Sequence, residues 1–336
     1  MSKVKIYGTL GPACARRDTL LQMLDSGMDG LRLNLSHRGL RDSEEWLALL
    51  RDVRRDSGKR VELLIDMQGP ELRIGALDTP MELAEGQRVY LGPAAGISAP
   101  IQAVRAMQPG GTALLDDGKM ELSIERVEDE AALCRVRRGG VLTSRKSLSL
   151  PGVRVEMPTL TGQDLENLKL AGQAGVTGVM QPFVRGAQDV KNLRAALKEC
   201  GAGELEILAK LENQTGLDQL EHFAPLADEV VIARGDLGAN TSLWTLPIIQ
   251  KRVAARLNQM NRRFMVVTQM LNSMLESPTP TRAEVTDIAQ AVLDGAASVM
   301  LTGETAVGRY PERAIWYMKQ TVDEAVRYRD ELRQMG

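Results

Sequence analysis

The sequence predicts an α/β fold, a (β/α)8 TIM barrel with a small β-rich domain inserted after its third strand, on three observations. A short apolar run followed by a helix-period segment recurs eight times, the pattern of parallel strands joined by helical crossovers. Polar side chains stand at the C-terminal end of nearly every run, where such a barrel carries its active site. One stretch, from about Gly75 to about Met157, loses the helical period and reads as short strands punctuated by glycine turns.

The strand runs are Lys3 to Thr9, Gly30 to Leu35, Val61 to Asp66, Gly178 to Phe183, Leu205 to Leu211, Glu229 to Ala233, Phe264 to Thr268 and Ser298 to Thr302. Helical segments follow them, such as Asp18 to Asp25, Glu44 to Arg55, Asp164 to Ala174, Ala187 to Cys200, Leu246 to Met260, Glu284 to Asp294 and Pro311 to Leu332. The barrel is thus expected over 1–74 and 157–336. Residues 75–156 are expected to form a barrel-like lid domain, with strands such as Gln87 to Leu91, Thr112 to Leu115, Leu122 to Val127 and Leu133 to Val136. An insertion at a βα loop lies on the catalytic face, where an extra domain can close over a ligand.

Composition narrows the partners. The chain has 336 residues, with 42 Lys and Arg against 44 Asp and Glu, so it offers no basic field for nucleic acid or an anionic membrane. Small soluble ligands are the expectation. Cys14, Cys134 and Cys200 are three, widely spaced and without a C-x-x-C pair, which supports neither a disulfide framework nor a zinc site. With no apolar leader at the start, the reading is a cytoplasmic protein. Met23, Met28, Met265, Met270 and Met300 fall at core spacings and are expected to fill gaps where aromatics are scarce.

The strand-end polar groups are Arg32, Asn34, Ser36 and His37; Asp66; Arg185; Lys210 and Glu212; Arg234 and Asp236; Thr268 and Gln269; Thr302 and Glu304. Any one alone reads equally well as a solvated strand end, but seven strands of eight carry them. Lys210 and Glu212, two apart on an extended segment, face the same side. Glu212 and Asp236 offer hard oxygens from neighbouring strands without nearby histidine or cysteine, which favours magnesium or manganese over zinc. Arg32, Arg73, Arg185, Arg234 and Lys210 together point to an anionic, phosphorylated substrate. Neither a P-loop nor a G-x-G-x-x-G turn occurs.

At these residues the chain resembles the pyruvate kinase family. The stretches that carry the resemblance include Thr9-Leu-Gly-Pro-Ala13, Arg32-Leu-Asn-Leu-Ser-His37, Asp66-Met-Gln-Gly-Pro-Glu-Leu-Arg73, Lys210-Leu-Glu-Asn213, Ala233-Arg-Gly-Asp-Leu-Gly238, Thr268-Gln-Met270, Pro280-Thr-Arg-Ala-Glu284 and Gly303-Glu-Thr305, in family order along nearly the whole chain. The resemblance implies the glycolytic transfer of phosphate from phosphoenolpyruvate to ADP, giving pyruvate and ATP, with Mg2+ (or Mn2+) and K+ as cofactors. It implies Lys210, Arg32, Thr268 and Thr302 as catalytic residues, and Ala233, Arg234, Gly235, Asp236 and Thr268 as substrate contacts. It further implies Arg32, His37, Arg73 and Lys146 toward the nucleotide, Glu212 and Asp236 as magnesium ligands, and Asn34, Ser36, Asp66 and Met67 as potassium ligands.

Departures from the family pattern are also legible. Met67 stands for a usual threonine, Gln68 and Val307 for usual lysines, Pro182 for a serine, Ser149 for an asparagine and Asn240 for a glutamate. Glu71 matches potassium-dependent members. The sequence ends at Gly336, where family members continue into a C-terminal regulatory domain, so the expectation is a short form without a seat for sugar-phosphate regulation. A homodimer through the barrel remains open. Two other functions fit the sequence: a metal-dependent pyruvate enolate enzyme, aldolase or lyase, on the same site, and a non-catalytic phosphoenolpyruvate-binding regulatory protein.

Overall fold

Eight parallel strands close a barrel: Lys5–Thr9, Gly30–Asn34, Glu62–Asp66, Gly178–Gln181, Glu206–Leu211, Glu229–Ala233, Phe264–Val267 and Ser298–Met300. Each pairs with its neighbours in chain order, and the first pairs with the eighth to complete the ring. The structure is a computed structural model that describes residues 3–335, except His37, Asp117, Arg154 and Asn240. No helix among the described residues is long and apolar enough to cross a membrane.

Alternation of side chains divides each strand between two cores. Outward residues such as Ile6, Leu31, Leu63, Ile207, Val230 and Val266 pack against the helices. Inward residues fill the lumen, where Tyr7, Leu64, Met180, Leu208, Val231, Met265 and Met300 form a separate buried cluster. The methionines singled out by spacing are all buried, so they serve packing.

Helix boundaries shift where capping decides them. Thr161 and Thr281 each accept a hydrogen bond from the backbone of the residue three on, Asp164 and Glu284, whose carboxylates return the bond. Those two acids are therefore the third residues of their helices, not the first, and the helices begin at Gly162 and Arg282. The last helix runs further than its apolar period suggests, Pro311–Met335. At the barrel seam, Thr9 N–H donates to Thr305 Oγ1 at 2.7 Å, and that hydroxyl donates to the Thr9 carbonyl at 3.0 Å. A Cβ on Gly11 would lie 2.5 Å from the Ala306 carbonyl oxygen, so this close approach requires glycine.

The floor of the barrel is polar. Glu229, 1% exposed at its side chain, accepts from Ser298 Oγ at 2.6 Å and from Arg263 at 2.9 Å. On the same floor Lys5 and Tyr7 both donate to Glu62.

A second compact unit comprises Pro70–Pro158 with Gly238–Leu243. It contains a six-stranded sheet in the order Leu148–Ser149, Thr112–Leu115, Met120–Glu128, Ala131–Arg138, Arg88–Gly92 and Ile97–Ser98, and a two-stranded ribbon of Met81–Leu83 with Gly140–Leu142. The strands thus form a sheet and a ribbon rather than one barrel-like sheet. Its own core includes Leu91, Ala113, Leu115, Leu122 and Ala132. The short helix Ile101–Ala106, too brief to show a period, escapes sequence reading.

Candidate active site

The site follows from the two-residue period of the strands. Residues two beyond the lumen-filling apolar side chains also face inward, one layer higher, at the C-terminal rim. Tyr7 is followed by Thr9, Leu64 by Asp66, Leu208 by Lys210 and then Glu212, and Met300 by Thr302. Thr9, Arg32, Asn34, Asp66, Lys210, Glu212, Asp236, Thr268 and Thr302 line one cavity of about 750 Å³. Seven strands supply its polar groups, but Thr9 of the first takes the place expected for Arg185 of the fourth, whose strand contributes only Met180.

Lys210 is the hub. Its ammonium lies 2.7 Å from Glu212 Oε1 and 3.3 Å from Asp66 Oδ2, and its side chain is 14% exposed. The lysine and glutamate therefore do pair, but inside the cavity rather than as surface groups. Arg32 binds Asp66 Oδ2 at 2.7 Å and Thr9 Oγ1 at 3.3 Å. Glu212 Oε2 accepts the Phe183 N–H at 2.8 Å, an aim made possible by the left-handed backbone of Phe183, φ 53°.

Burial works against the charge on Lys210, but Asp66 and Glu212 outweigh it and hold the ammonium above its ordinary value. Burial also opposes ionisation of Asp66, yet Lys210 and then Arg32 prevail and keep this carboxyl below the usual range. Glu212 goes the other way. Burial pushes it up to about 7 against the pull of Lys210, and Asp236 adds to the rise.

That donor set fits a divalent cation. Three carboxylates, Asp66, Glu212 and Asp236, share the cavity with Arg32, Arg38 and Lys210, and the oxygens of Glu212 and Asp236 are hard ligands. Among the described residues no group of three or more His, Cys, Asp or Glu is arranged to hold a metal. Two protein carboxylates suit magnesium, which keeps waters and takes substrate oxygens for the rest of its shell. For a monovalent cation, Asp66 Oδ1 is buried without a hydrogen-bond partner, an acceptor of the kind such an ion uses. Asn34 Oδ1 accepts the Ser36 N–H at 3.1 Å, which shapes the turn beside it. Met67 has a thioether in place of an oxygen donor, and its side chain is buried in the outer core rather than turned to the cavity.

Several expected groups are held elsewhere. Arg185 is bound by Asp189 at 2.8 Å, and Arg234 by Asp287 at 2.7 Å. These two arginines are structural cations, and the cavity is less basic than the sequence suggests. Arg73 and Lys146 belong to the second unit, where they pair with Glu71 and Asp116 at 2.8 Å each. Gly235 and Ser36 do not line the cavity, whereas Ala233 does. His37 and Asn240 lie outside the described residues.

Thr268 is strained. Its φ of 82° is unusual for a β-branched residue, and Gln269 follows at 55°. Arg234 Nη2 donates to the Thr268 carbonyl at 2.8 Å and fixes that conformation. On the far rim, buried Glu304 accepts from Leu271 N–H at 3.0 Å and from Thr302 N–H at 2.8 Å, joining the last two strand ends. Sequence reading missed Thr9, although its parity with Tyr7 could have found it, and also Arg38 and Trp46, which line the cavity from beyond the second strand. Cys14 is buried and its thiol is pushed up to about 11 by burial, so it is unreactive.

A family model described as the barrel domain of pyruvate kinase matches residues 1–315. A pyruvate kinase of Aeropyrum pernix is 38% identical over 321 residues, which cover 94% of this chain and 69% of that protein. One of Geobacillus stearothermophilus is 34% identical over 346 residues, covering 99% and 59%. The crystal structure of a pyruvate kinase from Cryptosporidium parvum superposes with a TM-score of 0.90 at 30% identity, over 96% of this chain and 69% of that one. The chain thus spans between 59% and 69% of the length of these relatives.

Proposed function

From the premise that this chain belongs to the pyruvate kinase family, we propose that its barrel transfers the phosphoryl group of phosphoenolpyruvate to ADP, giving pyruvate and ATP. The observation that carries this reading is Lys210, partly buried and held between Asp66 and Glu212 in the cavity. The P–O bond of the ester breaks and its electron pair stays on the enol oxygen, while an ADP oxygen forms the new bond to phosphorus. The enolate then takes a proton at its methylene carbon.

Lys210 meets the charge that develops on that enol oxygen. A unit charge about 4 Å away at an effective dielectric near 20 contributes on the order of 4 kcal/mol, roughly a thousandfold in rate. Because Asp66 and Glu212 fix the ammonium beforehand, it needs no reorganisation during transfer. Arg32, itself held by Asp66, offers its remaining N–H groups to the transferring phosphate. Ala233, the member of the Ala233–Gly235 turn that lines the cavity, would receive the substrate carboxylate, with Thr268 beside it. Thr302, which lines the same cavity, would pass a proton to the enolate.

Glu212 and Asp236 would hold Mg2+, and Asn34 and Asp66 would hold K+, with Met67 limited to its backbone carbonyl and Ser36 left outside the cavity lining. Bound there, the two ions supply positive charge to phosphate and enolate oxygens. The buried free thiols Cys14 and Cys134 suit a reducing cytoplasm. Trp244 and Ile248, 81% and 53% exposed near the start of the helix Leu246–Gln259, are apolar surface that a barrel-to-barrel homodimer would cover.

The test is coupled turnover. Protein, phosphoenolpyruvate, ADP, Mg2+ and K+ should release pyruvate, read through lactate dehydrogenase, and omission of Mg2+ should stop it. No pyruvate, with metal-dependent exchange of pyruvate methyl protons into heavy water, would instead identify an enolate enzyme of another reaction type.

A further inference from the structure

The cavity has three cationic side chains among the described residues, Arg32, Arg38 and Lys210. Two are already committed, Arg32 to Asp66 and Lys210 to Asp66 and Glu212. Arg38 forms no ion pair with any described carboxylate, and only its Nε–H is engaged, by the backbone carbonyl of Asp42. Its guanidinium carbon sits over the Trp46 ring, 5.0 Å from the centroid. Trp46 lies in the first turn of the helix Glu44–Ser57 and packs against the barrel core, so the platform under the guanidinium is rigid. A stacked, Nε-anchored arginine leaves its two Nη groups as a preset fork, the geometry that takes a phosphate bidentately. Val307, which also lines the cavity, brings no charge.

We propose that Arg38, held on Trp46, binds a phosphate group of the acceptor nucleoside diphosphate. The inference rests on the phosphotransfer reading of this cavity, and it assigns the second anion rather than the first. The phosphate of the ester has to sit with Lys210 and the two metal-binding carboxylates, because bond cleavage occurs there. An acceptor with two phosphates of its own needs a further cation, and Arg38 supplies it without breaking the Asp66 and Glu212 pairs.

The experiment combines an equilibrium titration with steady-state kinetics on the whole chain. ADP is titrated calorimetrically into protein with Mg2+ and without phosphoenolpyruvate, for the parent, Arg38→Met, Arg38→Lys and Trp46→Leu. Loss of a bidentate charge-assisted contact should weaken ADP binding in Arg38→Met by roughly ten- to a hundredfold. The KM for ADP should rise in step, while the KM for phosphoenolpyruvate stays within about twofold of the parent. Arg38→Lys should recover part of the affinity, since a point charge lacks the fork. Trp46→Leu should lose less than Arg38→Met and in the same direction. Unchanged ADP affinity in Arg38→Met overturns the proposal, as does a parallel rise in the phosphoenolpyruvate KM, which would assign Arg38 to the ester. A parent that binds ADP but releases no pyruvate overturns the phosphotransfer reading alone, because the titration still reports on Arg38.

Discussion

Arg234 donates from Nη2 to the backbone carbonyl of Thr268 at 2.8 Å, holding a β-branched residue at φ 82° on the rim of the cavity. Such a conformation costs on the order of 1–3 kcal/mol and persists only where its surroundings enforce it. Here they do: Arg234 is itself clamped by Asp287 at 2.7 Å, and Gly235 leaves room for Thr268, whose Cγ2 would stand 3.1 Å from a Cβ there. Asp287 does not line the cavity and acts through Arg234 as a positioning residue.

Asp287→Ala should therefore lower kcat about tenfold, with a smaller change in the KM for phosphoenolpyruvate. The melting temperature should move little, because Asp287 is one-third exposed and the pair adds only about 1 kcal/mol. Asp287→Glu should restore part of kcat. A kcat equal to the parent's would show that Arg234 holds Thr268 without help.

Lys210→Met should abolish phosphoryl transfer, by at least about a thousandfold. The ammonium lies between two buried carboxylates. Removing it should also cost about 3 kcal/mol of stability, read by urea unfolding. Adding Glu212→Gln should recover part of that stability and none of the activity.

Glu229, on the barrel floor, gives a pH signature. Burial raises its carboxyl above the ordinary range against the pull of Arg263 and Ser298. The folded protein thus binds this proton more tightly than the unfolded chain. The stability it contributes is complete below the ordinary glutamate range and is lost as pH rises through the folded value. Relative to the parent, Glu229→Gln should accordingly gain stability between acidic and neutral pH, measured as the difference in unfolding free energy at pH 5 and pH 8. A difference that does not change over this interval would place the buried proton elsewhere.

Glu304→Ala should be destabilising by about 3 kcal/mol, since it strips the acceptor from the Leu271 and Thr302 N–H groups together. Glu304→Gln keeps one carbonyl oxygen and should fall between. Chemical unfolding orders the three proteins, and coupled turnover should decline in the same order as Thr302 loses its anchor.

Sequence reading reached the barrel because its signal is local. The run Glu229–Ala233 was legible to the residue, and the other strands to within one or two positions, since lumen and outer core both demand apolar residues at alternating places. Lys210 and Glu212 were legible for the same reason: spacing by two puts them on one side. The roles of Arg185 and Arg234 were not. Arg185 is captured by Asp189, four residues on, a spacing that could have warned of it. Arg234 is captured by Asp287, fifty-three residues away, and only the closed ring brings them together. The Arg38–Trp46 stack was hidden likewise, because a charge after the second strand and an aromatic in the next helix show no period that links them.

The Thr9–Thr305 bonds join positions 296 apart in the chain. A nascent polypeptide still lacking Thr302 to Val307 has only part of the pocket wall, however well its earlier strands have paired. Catalytic competence should thus appear only after the eighth strand end has been made, and ribosome-stalled chains halted before residue 302 should remain inert.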